Sequence, residues 1–386
     1  MVNKYSGSDM MEMSGNDTSS VEKKYLKLSS NYFKKGLGIA TLSGIFYGLY
    51  TAFLTLGMSR GVWADWYGEN TAMLSAFVIT YMLAAIGAAI NDLSSAVWAT
   101  GIAAFKGKLI DVFRTVNTKP GYIMIFAALV GGPLATTAYV AGLQLAGAII
   151  IPISALCPAI GAILSKFLFK QELNARMMLG IGICFAASFL IGWTSVDINN
   201  LDASKVVILG LFAGFLAALG WGLEGCIAGY GTSMIDYEVG ITIRQVTSGI
   251  ANLLVLVPII ALIAGNFALA GQLTTQAFTS GPAMVWFIAS GFCALFAFSL
   301  WYKGNSMCGT ALGMAANGTF SFWGPFFSWI LLGVIMGIDG WGMPLIDWFA
   351  AIMMAFGIWV ISENPLDRFR KNSVPLGAPI IENEEE

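Results

Sequence analysis

The apolar positions along this chain fall in uncharged blocks of roughly 17 to 30 residues, separated by short polar segments. Each block is long enough to cross about 30 Å of hydrocarbon at about 1.5 Å per helical residue. Strand-like alternation is absent, so a β-barrel is not expected. The blocks predict about ten transmembrane helices, over roughly 36–58, 71–105, 121–142, 144–168, 176–193, 205–229, 241–264, 281–302, 306–335 and 345–361. The second is long for one crossing and contains Asn91 and Asp92, which read as a helix-end feature more than as a relay. The 144–168 span follows its predecessor almost without a linker and implies a tight hairpin.

Composition supports this all-α membrane class. Hydrophobic residues make up 57% of the 386 and charged residues 11%, with a mean hydropathy of +0.74. A soluble domain carries about a quarter charged residues. The net charge of −2, without a basic patch, gives no reason to expect a nucleic-acid partner. There is no histidine, which excludes His-based acid–base chemistry, Ser-His-Asp triads and His-ligated metal or haem. The five cysteines sit singly in apolar blocks and form no CxxC pair. A phosphate-binding GxxxxGK[ST] motif is also missing, so ATP is not expected to drive the protein directly. No metal, cofactor or catalytic residue is expected; the expected partners are the lipid bilayer and a small-molecule substrate.

Charge also sets orientation. With both termini cytoplasmic, eighteen of the twenty Lys and Arg fall on the inner side and only Arg60 and Lys205 on the outer. That bias requires an even number of spans. Trp63, Trp66 and Tyr67 in the first outer loop read as interfacial anchors. Residues 1–35 are a polar N-terminal tail, expected to be disordered to about Ser20, and 362–386 are a cytoplasmic C-terminal tail.

The two halves of the apolar region, 36–193 and 205–361, echo each other. Tyr47-Gly48-Leu49-Tyr50 in the first span matches Trp221-Gly222-Leu223-Glu224 in the sixth, with Gly57 and Gly231 each ten residues beyond the leading aromatic. Pro158 precedes Glu172 by fourteen residues, and Pro325 precedes Asp339 by the same distance. Five spans per half is an odd number, so the halves have opposite topology.

The segment PISALCPAIGAILSKFLFKQELNARMMLGIGICFAASFLIG (152–192), with Pro158, Glu172 and Gly180, resembles the EamA-type drug/metabolite transporter superfamily. Gln171-Glu172 stands where that family usually has Gly-Glu, and no glycine follows Asp339 at the corresponding place of the second half. The resemblance covers about 36–361. It implies two inverted five-helix repeats and alternating access around a central site. It also implies an arginine near the start of the seventh span, where Arg244 stands, and it likens Glu224 to a carboxylate that small multidrug pumps use for substrate and proton.

The residues themselves point the same way. Glu224 lies in an apolar span between Gly222 and Gly225 with no basic neighbour, and a carboxylate there usually faces a water-filled cavity or a partner. It is three residues from Trp221 and shares its helical face; Tyr47 and Tyr50 hold the matching face of the first span. Aromatic rings around one carboxylate suit an organic cation or protonatable amine, and Glu224 is the candidate proton carrier. Its alternative role is a structural pair with Arg244. Arg244 itself reads either as a substrate ligand or as an interfacial cation. Asn317 and Trp323 in the ninth span complete the candidate substrate site of Tyr47, Tyr50, Trp221, Glu224, Arg244, Asn317 and Trp323. Lys303 reads as an inner-loop charge. Gly44/Gly48 is one of several small-xxx-small pairs suited to close helix packing. The expectation is a secondary transporter of a small organic solute in a bacterial inner membrane. The alternatives are a lipid scramblase or an assembly factor. A membrane enzyme is disfavoured because clustered His/Asp/Glu are missing.

Overall fold

The computed structural model describes residues 7–68, 74–169, 175–194, 201–232, 234–308, 310–339 and 341–362. These form helices and turns, with no strand among them. In a hydrocarbon solvent every backbone N–H and C=O needs an internal partner, and a helix supplies it locally.

Among the described residues, six helical rods are long and apolar enough to cross a membrane: Lys34–Gly57, Val78–Phe105, Lys119–Ser154, Lys205–Thr232, Tyr237–Ile263 and Gly281–Met307. Three shorter apolar helices, Met178–Ala187, Phe320–Ile335 and Leu345–Val360, lie where the sequence predicts further spans. Large apolar side chains such as Phe189, Leu254, Leu262, Ile263 and Phe349 face outward, while Glu224, Arg244 and Gln245 are fully buried. That inverted distribution fits a protein solvated by lipid.

The first rod belongs to α1 (Gly7–Gly57), which reaches back well into the segment expected to be a disordered tail. Residues 10–35 contain no proline and many good helix formers (Met, Leu, Glu, Lys), so the helix continues. The second rod begins with a π-helical turn, Val78–Met82, and continues as α3 (Leu83–Phe105). Asn91 and Asp92 stand in the middle of α3, not at a helix end. Ser248 on α11 (Tyr237–Ala251) and Asn252 just beyond it satisfy the carboxylate there and leave the helix no reason to stop. Trp63 also departs from expectation. It is fully buried, because the short α2 (Val62–Tyr67) turns it inward against Phe287 and Trp66.

The third rod runs from α5 (Lys119–Leu129) through a π-helical turn, Val130–Thr136, into α6 (Thr137–Ala146). Gly147, at φ 66°, a conformation for which glycine is suited, stands at the junction of α6 with a short 3-10 turn, Gly147–Ile149. The following span is broken into α7 (Ile150–Ser154) and α8 (Cys157–Phe169). Pro158 occupies the first turn of α8, where its missing N–H costs little. A second break separates α15 (Thr310–Asn317) from α16 (Phe320–Ser328), which carries Pro325 inside it. Gln171 and Glu172 lie outside the described residues, as does the tail beyond 362; Asp339 is exposed after a turn at Gly337.

The packing interleaves the two halves. α1 lies against α14 (Gly281–Cys308) and α16. α10 (Leu201–Thr232) lies against α5, α6 and α8. α3 packs on α11, and α9 (Ala175–Thr194) packs on α17 (Leu345–Ser362). At Gly48 a Cβ would stand 2.7 Å from the backbone of Trp323, so only glycine lets α1 approach α16 so closely.

Candidate functional site

Two polar regions lie side by side in the core. The first centres on Glu224, in α10. Arg244, in α11, donates to its carboxylate twice, from Nε at 2.7 Å and from Nη2 at 3.3 Å. Tyr302, in α14, donates to Oε1 at 3.2 Å. Arg244 also donates from Nη1 to Gln245 Oε1 at 2.7 Å, and Gln245 Nε2 reaches Ser95 Oγ, in α3, at 2.7 Å. The guanidinium carbon sits 4.0 Å above the Phe298 ring. All the hydrogen-bonding members have 0% exposure. A planar fork on a carboxylate is the strongest pairing these two side chains offer. The approach depends on Gly131 in the π-helical turn, where a Cβ would collide with the Glu224 carboxylate. Its neighbour Gly132 is pressed likewise against Ser248. Single π-turns inside α-helices recur at functional sites.

Asp92 extends this region along α3. Its Oδ2 accepts from the Ser248 hydroxyl and from Asn252 Nδ2 (3.1 Å), and its Oδ1 from Asn91 Nδ2 (3.3 Å). Asn91 Oδ1 accepts from Ser290 Oγ (2.7 Å), which also lies 3.1 Å from the Tyr50 carbonyl oxygen.

The second region is an aromatic pocket lined by Tyr47, Cys157, Trp221, Ala297, Phe298, Trp301, Asn317 and Phe320. Tyr47 stacks on Phe320 with centroids 4.1 Å apart and meets Trp221 edge-on at 5.6 Å. The free space is about 10 Å³, at the lower limit for one water molecule. Tyr47 Oη, Trp221 Nε1 and Trp301 Nε1 are buried with no hydrogen-bond partner among the described residues. Leaving a buried donor unpaired costs about 1–3 kcal/mol. Three such atoms around one pocket are a cost that a packed apolar core would avoid. Cys157 opens α8, Asn317 closes α15 and Phe320 opens α16, so the pocket lies at both helix breaks.

The structure therefore sorts the seven residues expected at the substrate site. Tyr47, Trp221 and Asn317 line the pocket. Tyr50 stands behind Tyr47, with centroids 5.0 Å apart. Glu224 and Arg244 are paired to each other, and the Arg244 guanidinium meets the pocket wall at Phe298. Trp323 stacks on Phe327 and does not reach the pocket. Asn317 donates from Nδ2 to Ser43 Oγ at 2.7 Å, tying α15 to α1.

Sequence reasoning missed Trp301, Phe298, Phe320 and Cys157 as pocket residues, along with the Asp92 partners Ser248 and Asn252 and the Asn91 partner Ser290. Trp301-Tyr302 was a visible aromatic pair, and its membership of an apolar span was the available signal. The serines carried no local signal. Lys303, read as a loop charge, lies 5.2 Å from the Tyr237 ring.

A further cavity, about 300 Å³, opens beside Lys106, Tyr237 and Glu238 between α3, α11 and α14. There Lys106 pairs with Glu238 at 2.5 Å, and Lys108 pairs with Asp236 at 3.0 Å and Glu238 at 2.6 Å. Burial alone would lower the Lys108 pKa. Its hydrogen bonds to Glu238 and Asp236 outweigh that and raise it above the ordinary 10.5.

No family model and no curated protein matches the sequence. Twenty-three solved chains resemble the fold. One of them, titled only "Crystal structure of protein", is 17% identical, with 84% of this chain aligned to 96% of that one at a TM-score of 0.51. At that identity the likeness concerns the fold alone: this chain shares its helical architecture with a protein of known structure.

Proposed function

We propose that this protein is a secondary transporter that moves a small organic solute across the plasma membrane by alternating access. The observation that carries the reading is the aromatic pocket with three unpartnered donors, Tyr47 Oη, Trp221 Nε1 and Trp301 Nε1. Buried polar atoms are normally satisfied, and these await acceptors from outside the chain. Their position at two interrupted helices is where transporters of inverted-repeat architecture hold substrate.

The interleaved packing supports an inverted five-plus-five repeat of EamA type. Exchanging the first span for the sixth, and the third for the eighth, maps the α1–α14 contact onto that of α10 with α5 and α6. Exchanging also the fourth for the ninth maps α1–α16 onto α10–α8, while the α3–α11 and α9–α17 contacts map onto themselves. In this reading there are ten crossings, with both termini in the cytoplasm of a bacterium.

The pocket chemistry narrows the solute. The Glu224 charge is already met by Arg244, so the pocket offers donors and ring faces without a free anion. Uncharged or zwitterionic solutes with exposed oxygen acceptors fit this better than quaternary amines. Reconstituted proteoliposomes, offered labelled sugars, amino acids, nucleosides and quaternary amines, provide the test. Saturable uptake of an acceptor-rich solute is expected. Flux of no solute, with scrambling of labelled lipid by the same vesicles, turns the reading to the non-transporting alternative.

A further inference from the structure

The buried charges of the two networks do not cancel. Glu224 and Arg244 neutralise each other through a two-point contact. Asp92 is 1% exposed, and its hydrogen-bond partners Ser248, Asn252 and Asn91 are all neutral. The titratable groups facing it are Arg244 on α11 and Tyr50 on α1; beyond Arg244 lie Glu224 on α10 and Tyr302 on α14. With Asp92 ionised, Asp92, Glu224 and Arg244 together carry one net negative charge; with Asp92 protonated they carry none. An uncompensated carboxylate at membrane depth is costly and marks an ion or proton path.

We propose that Asp92, rather than Glu224, is the carboxylate that takes up and releases the coupling proton. The proposal rests on the transporter reading above. Hydronium on one side of the membrane gives its proton to Asp92, forming the acid and water; on the other side the acid returns it to water. The Ser248 contact accommodates both states. Its hydroxyl donates to the carboxylate, and accepts from the acid once Oδ2 carries the proton.

A path to the solute pocket is present. Asn91 and Ser290 link the Asp92 site to the Tyr50 carbonyl, and the Tyr50 ring packs on Tyr47 in the pocket wall. Ser248 is also pressed against Gly132 of the π-helical turn. Protonation thus alters contacts among α1, α3, α11 and α14, of which α1 and α14 also line the pocket.

Infrared titration of the full-length protein in lipid reads the proposal without a known solute. The wild type should show the C=O stretch of a buried carboxylic acid that disappears as pH rises, and Asp92→Asn should lack it. If that variant does not fold, Ser248→Ala and Asn252→Ala carry the test. Each removes a donor to the ionised form and should raise the titration midpoint by about one pH unit. A band that survives in Asp92→Asn, or midpoints unmoved in both donor variants, overturns the assignment. Once a solute is found, flux driven by a pH gradient should lose its response to the gradient in Asp92→Asn. Flux equally gradient-driven in that variant overturns the coupling role. An Asp92-dependent band in a protein that carries no solute defeats the transporter reading while keeping Asp92 as a proton site.

Discussion

The Glu224–Arg244 network and the aromatic pocket share helices α10 and α14 and a wall at Phe298, yet they treat polar atoms in opposite ways. In the network, Arg244 donates to Glu224 and Gln245, and Gln245 passes the chain on to Ser95. In the pocket, two indole N–H groups and a phenol have no partner among the described residues. The first arrangement ties four helices, α3, α10, α11 and α14, in one register. The second leaves three donors unpaired, and on them the proposed ligand site rests. Burial alone would rank the two regions alike; partner satisfaction tells them apart.

The largest expected effect comes from breaking the network on one side. Arg244→Met leaves Glu224 buried without its cation and should cost about 3–5 kcal/mol, measured by thermal unfolding in detergent. Adding Glu224→Leu should recover much of that loss. If the double variant is as unstable as the single, the pair is not what holds the region.

Next is the helix contact that frames the pocket. Gly48→Ala places a methyl group against the Trp323 backbone and should destabilise by about 1–3 kcal/mol, seen as a lower melting temperature. Gly38→Ala, on the same helix but with nothing within 4 Å, is the matched control and should be close to neutral.

The pocket should respond the other way round. Trp221→Phe removes an unpaired N–H while keeping a ring, so stability should change by less than about 1 kcal/mol while solute affinity falls about tenfold. A stability loss as large as that of Arg244→Met would erase the distinction between the two regions.

The smallest effect belongs to the outlying ion pairs. Lys108→Met should cost no more than about 1 kcal/mol, because the side chain is 31% exposed. The folded Lys108 pKa is raised, so its contribution is complete below 10.5 and is lost as pH climbs through the folded value. Melting curves of wild type and variant should therefore converge at strongly alkaline pH.

Much of the fold was legible in the sequence. Among the described residues, the six long apolar helices stand where uncharged blocks stand, and the positive-φ Gly147 lies at the junction of two such blocks. Tyr47, Trp221 and Asn317 were also legible, as polar-tipped or amide side chains in apolar spans. Trp63 was not. An aromatic residue in a loop is as compatible with a membrane interface as with the core, and only α2 folding over Phe287 decides. Nor was the setting of Asp92, whose partners Ser248 and Asn252 are more than 150 residues away in the chain.

The sequence by itself determined that this chain is helical and solvated by lipid. Those properties follow from local composition and from a backbone that must bond within its own segment when water is absent. Only the tertiary structure decided which polar residues are spent on one another. Glu224 looks the same in sequence whether it is free or held by Arg244, because an ion pair is a matter of distance between helices. That pairing holds Glu224 outside the pocket lining, leaves Tyr47, Trp221 and Trp301 there with unpartnered donors, and leaves Asp92 with neutral hydrogen-bond partners.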